Sequence, residues 1–170
     1  MSAPDLERLN EGLRAADRDL LRALAARAAL PREPGPKWVG PAESAPPLAE
    51  LVYAVAPAGT AADAAAATRA NQALCTAVAA LRARAAEQAD GRFEQQRPAS
   101  QAALENGDRE RMGILLADVA ADLQRLESIR AAAADCAPPL PDGTAGLLWR
   151  EFVIPWTRQL AIARLMEPGR

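Results

Sequence analysis

Alanine occupies about a quarter of the 170 positions, and no other feature narrows the fold so far. Ala is the strongest helix former and a weak strand former. Aromatic residues supply only 4% of the chain. An all-α fold follows. The length suits one domain covering 1–170, and a half-apolar composition is enough to build its core. Small Ala side chains let helices approach closely, so the core is predicted to be layers of Leu and Ala between helices.

Hydrophobic periodicity divides the chain into about four main helices. The first runs from about Pro4 to Leu30, with Ser2 and Asp5 as a capping pair, Leu6, Leu9, Leu13, Leu20 and Leu24 on one stripe and Leu21 beside them. Pro31, Pro34 and Pro36 end it. Residues 31–59 form a proline-dense linker or wrap, with a short element at Leu48–Val55. The second helix starts at Thr60 or Asp63 and reaches about Ala89, with Leu74, Val78, Leu81 and Ala85 inward. A polar stretch from Gln95 to Asn106 follows. The third helix spans Asn106–Asp108 to Ala134, with Met112, Leu115, Leu116, Val119, Leu123 and Leu126 at helical spacing. The last covers about Thr144 to Met166, with Trp149, Val153, Trp156, Leu160 and Ala163 as its stripe and Pro155 as a kink.

Composition excludes several chemistries. There is no His, so no imidazole base, Ser–His or Cys–His pair, or His-ligated metal is expected. No cofactor is implied. A net charge of −2, with both signs interspersed, argues against a nucleic-acid partner. No apolar run approaches the length of a membrane span. No basic segment followed by an apolar one opens the chain, so a cytoplasmic location is expected. Cys75 and Cys136 read as small buried residues in a reducing compartment, although their spacing alone does not exclude a disulfide.

Polar residues on apolar stripes are the candidates for function. Asn10, Asp17 and Arg27 share the inner face of the first helix. Arg92 continues the second stripe, Arg109 precedes Met112 by one turn, and Gln159 follows Trp156 by one turn. A lone charge on a core stripe is costly unless paired. Several Arg converging on one interior would make an anion site, because the guanidinium fork grips carboxylates with paired hydrogen bonds. The competing reading is structural: Arg27 and Arg92 lie near helix C-termini, where a cation is favoured anyway.

The segment Leu9-Asn10-Glu11-Gly12-Leu13-Arg14-Ala15-Ala16-Asp17-Arg18-Asp19-Leu20-Leu21-Arg22-Ala23-Leu24-Ala25-Ala26-Arg27 resembles the first helix of the helical (type II) chorismate mutases, LRxxIDxIDxxLLxLLxxR. Asp108-Arg109-Glu110-Arg111 is similar to that family's Arg-Glu at the start of its second helix. Leu148-Trp149-Arg150-Glu151-Phe152-Val153 is similar to the segment opening its third. The resemblance implies an all-α bundle that binds chorismate, a dicarboxylate, and rearranges it to prephenate. It implies a substrate-binding role for Arg27 and Arg109, with Glu110 near the ether oxygen. It implies catalytic roles for Lys37 and Gln159, each one residue short of the family position. The helix carrying Arg82, Arg84 and Arg92 has no counterpart in that family, and Arg92 on it is expected to bind substrate as a substitute cation. Family members are commonly dimers, so a homodimer is implied too.

That reaction is pericyclic and needs no nucleophile, metal or proton transfer, which a His-free, Arg-bearing bundle can accommodate. Asn10 stands where the family carries an Arg, and Trp156 where it carries a Ser. A second reading therefore stays open: a catalytically degenerate bundle of the same fold, acting as a metabolite-binding or protein-interaction module.

Overall fold

The computed structural model describes residues 5–35, 37, 48–141 and 143–167, and only the backbone of residues 48 and 49. The described residues form helices and turns, as the Ala content requires. The helices are α1 (Leu6–Ala28), α2 (Leu48–Val55), α3 (Ala64–Gln95), α4 (Arg97–Glu105), α5 (Arg109–Leu116), α6 (Val119–Ala134), α7 (Thr144–Leu148) and α8 (Ile154–Leu165), with a π-helical turn over Trp149–Val153 between the last two. Among the described residues, no helix is long and apolar enough to cross a membrane.

Asp5 caps α1 by accepting from the Arg8 N–H, and Asp63 caps α3 by accepting from Ala66. Ser2, the other member of the expected capping pair, lies outside the described residues. α1 buries Leu13, Leu20, Leu21 and Leu24 together with Asp17 and Arg27. It packs chiefly on α3 and also on α6 and α2. α3 buries Leu74, Val78, Leu81 and Ala85 as the spacing predicts, but runs on past Ala89 through a buried Gly91 to Gln95. The polar stretch after it is not a loop. It is α4, with Pro98 in its first turn and Ser100 and Ala103 turned inward.

The expected third helix is two helices. Ala117 is extended (ψ 133°), and Asp118 opens α6 by accepting from the Ala121 N–H. The apolar pattern reads through this break because each half has its own inner face. Met112, Leu115 and Leu116 are buried on one side of it, Leu126 and Ile129 on the other. Val119 and Leu123, expected inside, are instead 72% and 54% exposed.

The last helix departs from its expected register at one place. Pro155 has no N–H to return to the preceding turn, and the chain widens into the π-helical turn just before it. The inward stripe beyond that turn is Ile154, Thr157, Ala161 and Leu165. Trp156, Leu160 and Ala163 are only partly buried.

The described part of the 31–59 segment is a wrap. Arg32 and Glu33 donate backbone N–H groups to Pro57 and Gly59, and Ala61 donates to Glu33. This forms an isolated parallel bridge between Glu33 and Thr60. α2 places Leu51 and Val52 against the main core.

There are two apolar clusters. The larger joins α1, α2, the first part of α3, α6, α7 and the π-helical turn. The smaller joins Ala89 of α3, Ala103, Met112, Leu115 and Leu116 with Ala161 and Leu165 of α8. α3 and α8 run through both. Inside the larger cluster sits one ion pair. The fully buried Asp17 carboxylate accepts from Arg125 Nε (2.7 Å) and Nη2 (3.0 Å) and from the Trp149 indole N–H (2.8 Å).

Removing one member of such a pair strands a charge in the core and costs about 3–5 kcal/mol. Arg125→Met is therefore expected to lose that much in denaturant unfolding. The double replacement Asp17→Leu, Arg125→Met is expected to recover part of it. A double variant no more stable than Arg125→Met would show that the pair's charge is not what matters there.

Candidate functional site

Where the two apolar clusters meet, the helices leave a cleft of about 30 Å³, room for roughly two water-sized groups. Ala85, Ala89, Leu116, Ile154 and Ala161 supply its apolar walls. Its polar lining is Gln88 and Arg92 from α3, Asp118, Asp122 and Arg125 from the α6 end, and Thr157 and Arg158 from α8.

Each side chain is placed by a local feature of the chain. The α5–α6 break puts Asp118 at a helix start, where Oδ1 accepts from Ala121 (2.9 Å) and Oδ2 accepts from Arg92 Nη2. Asp122 and Arg125 follow at one and two helical turns, on the same face. Asp122 accepts from Arg158 Nη2 and lies 3.8 Å from Arg125 Nη1. Arg125, already holding Asp17, also reaches the Thr157 hydroxyl (3.4 Å), which donates to the Ile154 carbonyl (3.0 Å). The register set by the π-helical turn is what points Thr157 inward. Gln88 donates its amide N–H to Asn10 of α1.

The two carboxylates that face the cleft are tuned in opposite directions. Burial pushes Asp122 above the usual carboxylate range, and this outweighs the attraction of Arg158 and Arg125. Burial acts on Asp118 too, but the Ala121 N–H and the Arg92 guanidinium outweigh it and hold that carboxyl below the usual range. Arg92 is nine-tenths buried, and its Nε–H has no hydrogen-bond partner among the described residues.

Of the six residues expected to form a site, Arg92 alone lines this cleft, and the structure does not bring the six together. Arg27 is fully buried, but all five of its N–H donors are consumed by the protein. Nε donates to Asn71 Oδ1 (2.7 Å). Nη1 donates to the carbonyls of Leu30 (3.0 Å) and Pro31 (2.7 Å), and Nη2 to those of Arg32 (2.8 Å) and Pro34 (3.0 Å). Burial also pulls its pKa below the ordinary guanidinium value, against the pull of Glu33. Lys37 is exposed on the wrap, because the chain leaves the helix after Ala28. Arg109 and Glu110 are exposed in the first turn of α5, and Gln159 is exposed on α8 because the shifted register turns it outward. Trp156, where the resembled family carries a Ser, is half-buried, and its indole N–H has no partner among the described residues.

The residues that sequence reasoning passed over are Asp118, Asp122, Arg125 and Arg158. Their signal was the i, i+4, i+7 spacing of Asp118, Asp122 and Arg125 beside the apolar stripe of α6. Comparison with known protein families, curated proteins and solved structures finds no match to this chain.

The opposed tuning fixes the sign of two substitutions. A carboxyl held low in the fold contributes stability above its ordinary pKa and loses it as pH falls through the folded value. A carboxyl pushed up favours the fold below its ordinary pKa and loses that contribution as pH rises through the folded value. At pH 7, Asp118→Asn, which keeps a capping side chain, is expected to cost about 1–2 kcal/mol through the Arg92 contact. Asp122→Asn is expected to be neutral or stabilising, since Arg158 is open enough to be hydrated. Urea unfolding at pH 7 checks both; equal losses for the two variants would contradict the opposed tuning. Arg27→Ala strands four backbone carbonyls and Asn71, and is expected to lower stability by about 3 kcal/mol or more.

Proposed function

We propose that this chain is a helical-bundle module that binds a small organic ligand at the Arg92–Arg158 cleft and does not catalyse the chorismate rearrangement. The observation that carries this reading is the use of Arg27. With every guanidinium N–H given to the wrap or to Asn71, it has no donor left for a substrate carboxylate. Lys37, Arg109, Glu110 and Gln159 are dispersed on the surface, so no charge-stabilising constellation surrounds a common point. A preorganised donor set is what such a rearrangement requires, and losing one such donor typically costs about 3 kcal/mol of barrier.

The cleft supports a binding role. It opens to solvent on one side, mixes polar and apolar groups from α3, α5, α6 and α8, and holds a buried guanidinium N–H without an acceptor among the described residues. Binding sites of helical bundles commonly lie between helices. The mutase reading keeps one support: α1 buries both Asp17 and Arg27, two of the positions through which it resembles that family.

The test is to mix the purified protein with chorismate and follow its ultraviolet absorbance, with calorimetry on chorismate and prephenate in parallel. No loss of absorbance above the uncatalysed rate is expected. Saturable turnover that falls on Arg27→Lys or Arg109→Gln would overturn the proposal and restore the mutase assignment.

A further inference from the structure

We propose that the cleft seats one carboxylate of a small organic acid between the guanidinium groups of Arg92 and Arg158, with the rest of the acid outside its mouth. This rests on the binding-module reading above and names its ligand class.

Counting hydrogen-bonding groups gives the chemistry of the occupant. Arg125 is committed to Asp17 and Thr157. Thr157 donates to a backbone carbonyl, and the Gln88 amide N–H goes to Asn10. Arg92 gives Nη2 to Asp118 and leaves its buried Nε–H without an acceptor among the described residues. Arg158 gives Nη2 to Asp122 and is half-open to solvent at the edge of the cleft. The donors left over are thus the shielded Arg92 Nε–H and the solvent-facing edge of Arg158. A buried donor left unmade is an unusual state for a folded protein. An ionised carboxylate brings only acceptors, and guanidinium groups bind it better than they bind water.

Size limits what enters. About 30 Å³ holds two oxygen-sized groups but no ring, so a carboxylate head fits and the body of the acid does not. Charge sets the strength. Three cations and two carboxylates line the cleft, and Asp17 behind Arg125 brings the balance to even. A ligand must therefore share Arg92 with Asp118 and Arg158 with Asp122, which points to millimolar rather than micromolar affinity.

Acetate is the probe, titrated into the full chain at constant ionic strength against chloride and, separately, sulfate. The Arg92 Nε–H resonance in proton–nitrogen spectra is the readout. A saturable downfield shift with acetate is expected. Arg92→Lys, or the milder surface change Arg158→Gln, is expected to weaken binding at least tenfold. Asp118→Asn is expected to tighten it severalfold by removing the competing carboxylate, an effect that a purely structural Arg92 would not show. The same shift with chloride or sulfate would mark a general anion site and overturn the inference. A silent Arg92, with neutral fragments shifting Gln88 and Thr157 instead, would overturn it while leaving the binding module standing. If neither acetate nor any fragment moves a cleft resonance, both fall.

Discussion

A single carboxylate in the core holds the arrangement together. Asp17 accepts two N–H groups from α6 and one from the indole of Trp149, so it fixes three parts of the chain relative to one another. None of those contacts can slide, since the hydrogen-bond directions at a buried carboxylate are demanding and the penalty for missing one is large. Apolar packing between Ala and Leu faces is far less particular about register. In a bundle this rich in Ala, where many interhelical surfaces are nearly smooth, a polar fastening supplies specificity that side-chain shape cannot. The handling of Arg125 follows from it: with one edge bound to Asp17, the guanidinium has a fixed orientation and presents the rest of itself to Thr157 and Asp122.

The cleft exists because two helices depart from regularity at the same level of the bundle. The break at Ala117 and Asp118 starts α6 afresh and swings its first polar turn toward α3. The π-helical turn before Pro155 adds a residue's worth of rotation and brings Thr157 and Arg158 round to meet it. A continuous helix through either place would have closed the space with apolar side chains. Irregular turns of this kind often occur at functional positions in helical proteins.

Much of the fold was legible in the sequence, and the site was much less so. Helix propensity and spacing located α1, α2, α3 and the inner faces of the first two long helices, because those faces follow one uninterrupted period. The period fails where the backbone changes geometry, at Ala117 and at the π-helical turn before Pro155. Ala117 carries no turn signal, so Met112 through Leu126 read as one stripe that puts Val119 and Leu123 inside. Pro155 is visible, but the turn that absorbs it is not, so the stripe reads Trp156, Leu160 and Gln159 one position out of register. The burial of Asp17, Arg27 and Arg92 followed correctly from stripe logic. Their partners did not, because Arg125, Asp118 and Asn71 lie far away in sequence and on positions that period alone reads as surface.

The fastening of the wrap to α1 has a consequence for how this chain tolerates change. Four of the five groups that Arg27 holds are main-chain carbonyls, of Leu30, Pro31, Arg32 and Pro34. A main-chain oxygen is supplied by any amino acid. The contacts with Arg27 therefore leave the side chains along this stretch free to drift over generations while the path of the backbone persists, and the constraint those contacts impose falls on one guanidinium and on the spacing of the residues after it. Divergent versions of this protein would then keep an Arg at the end of the first helix for architectural reasons, and its persistence would say little about chemistry.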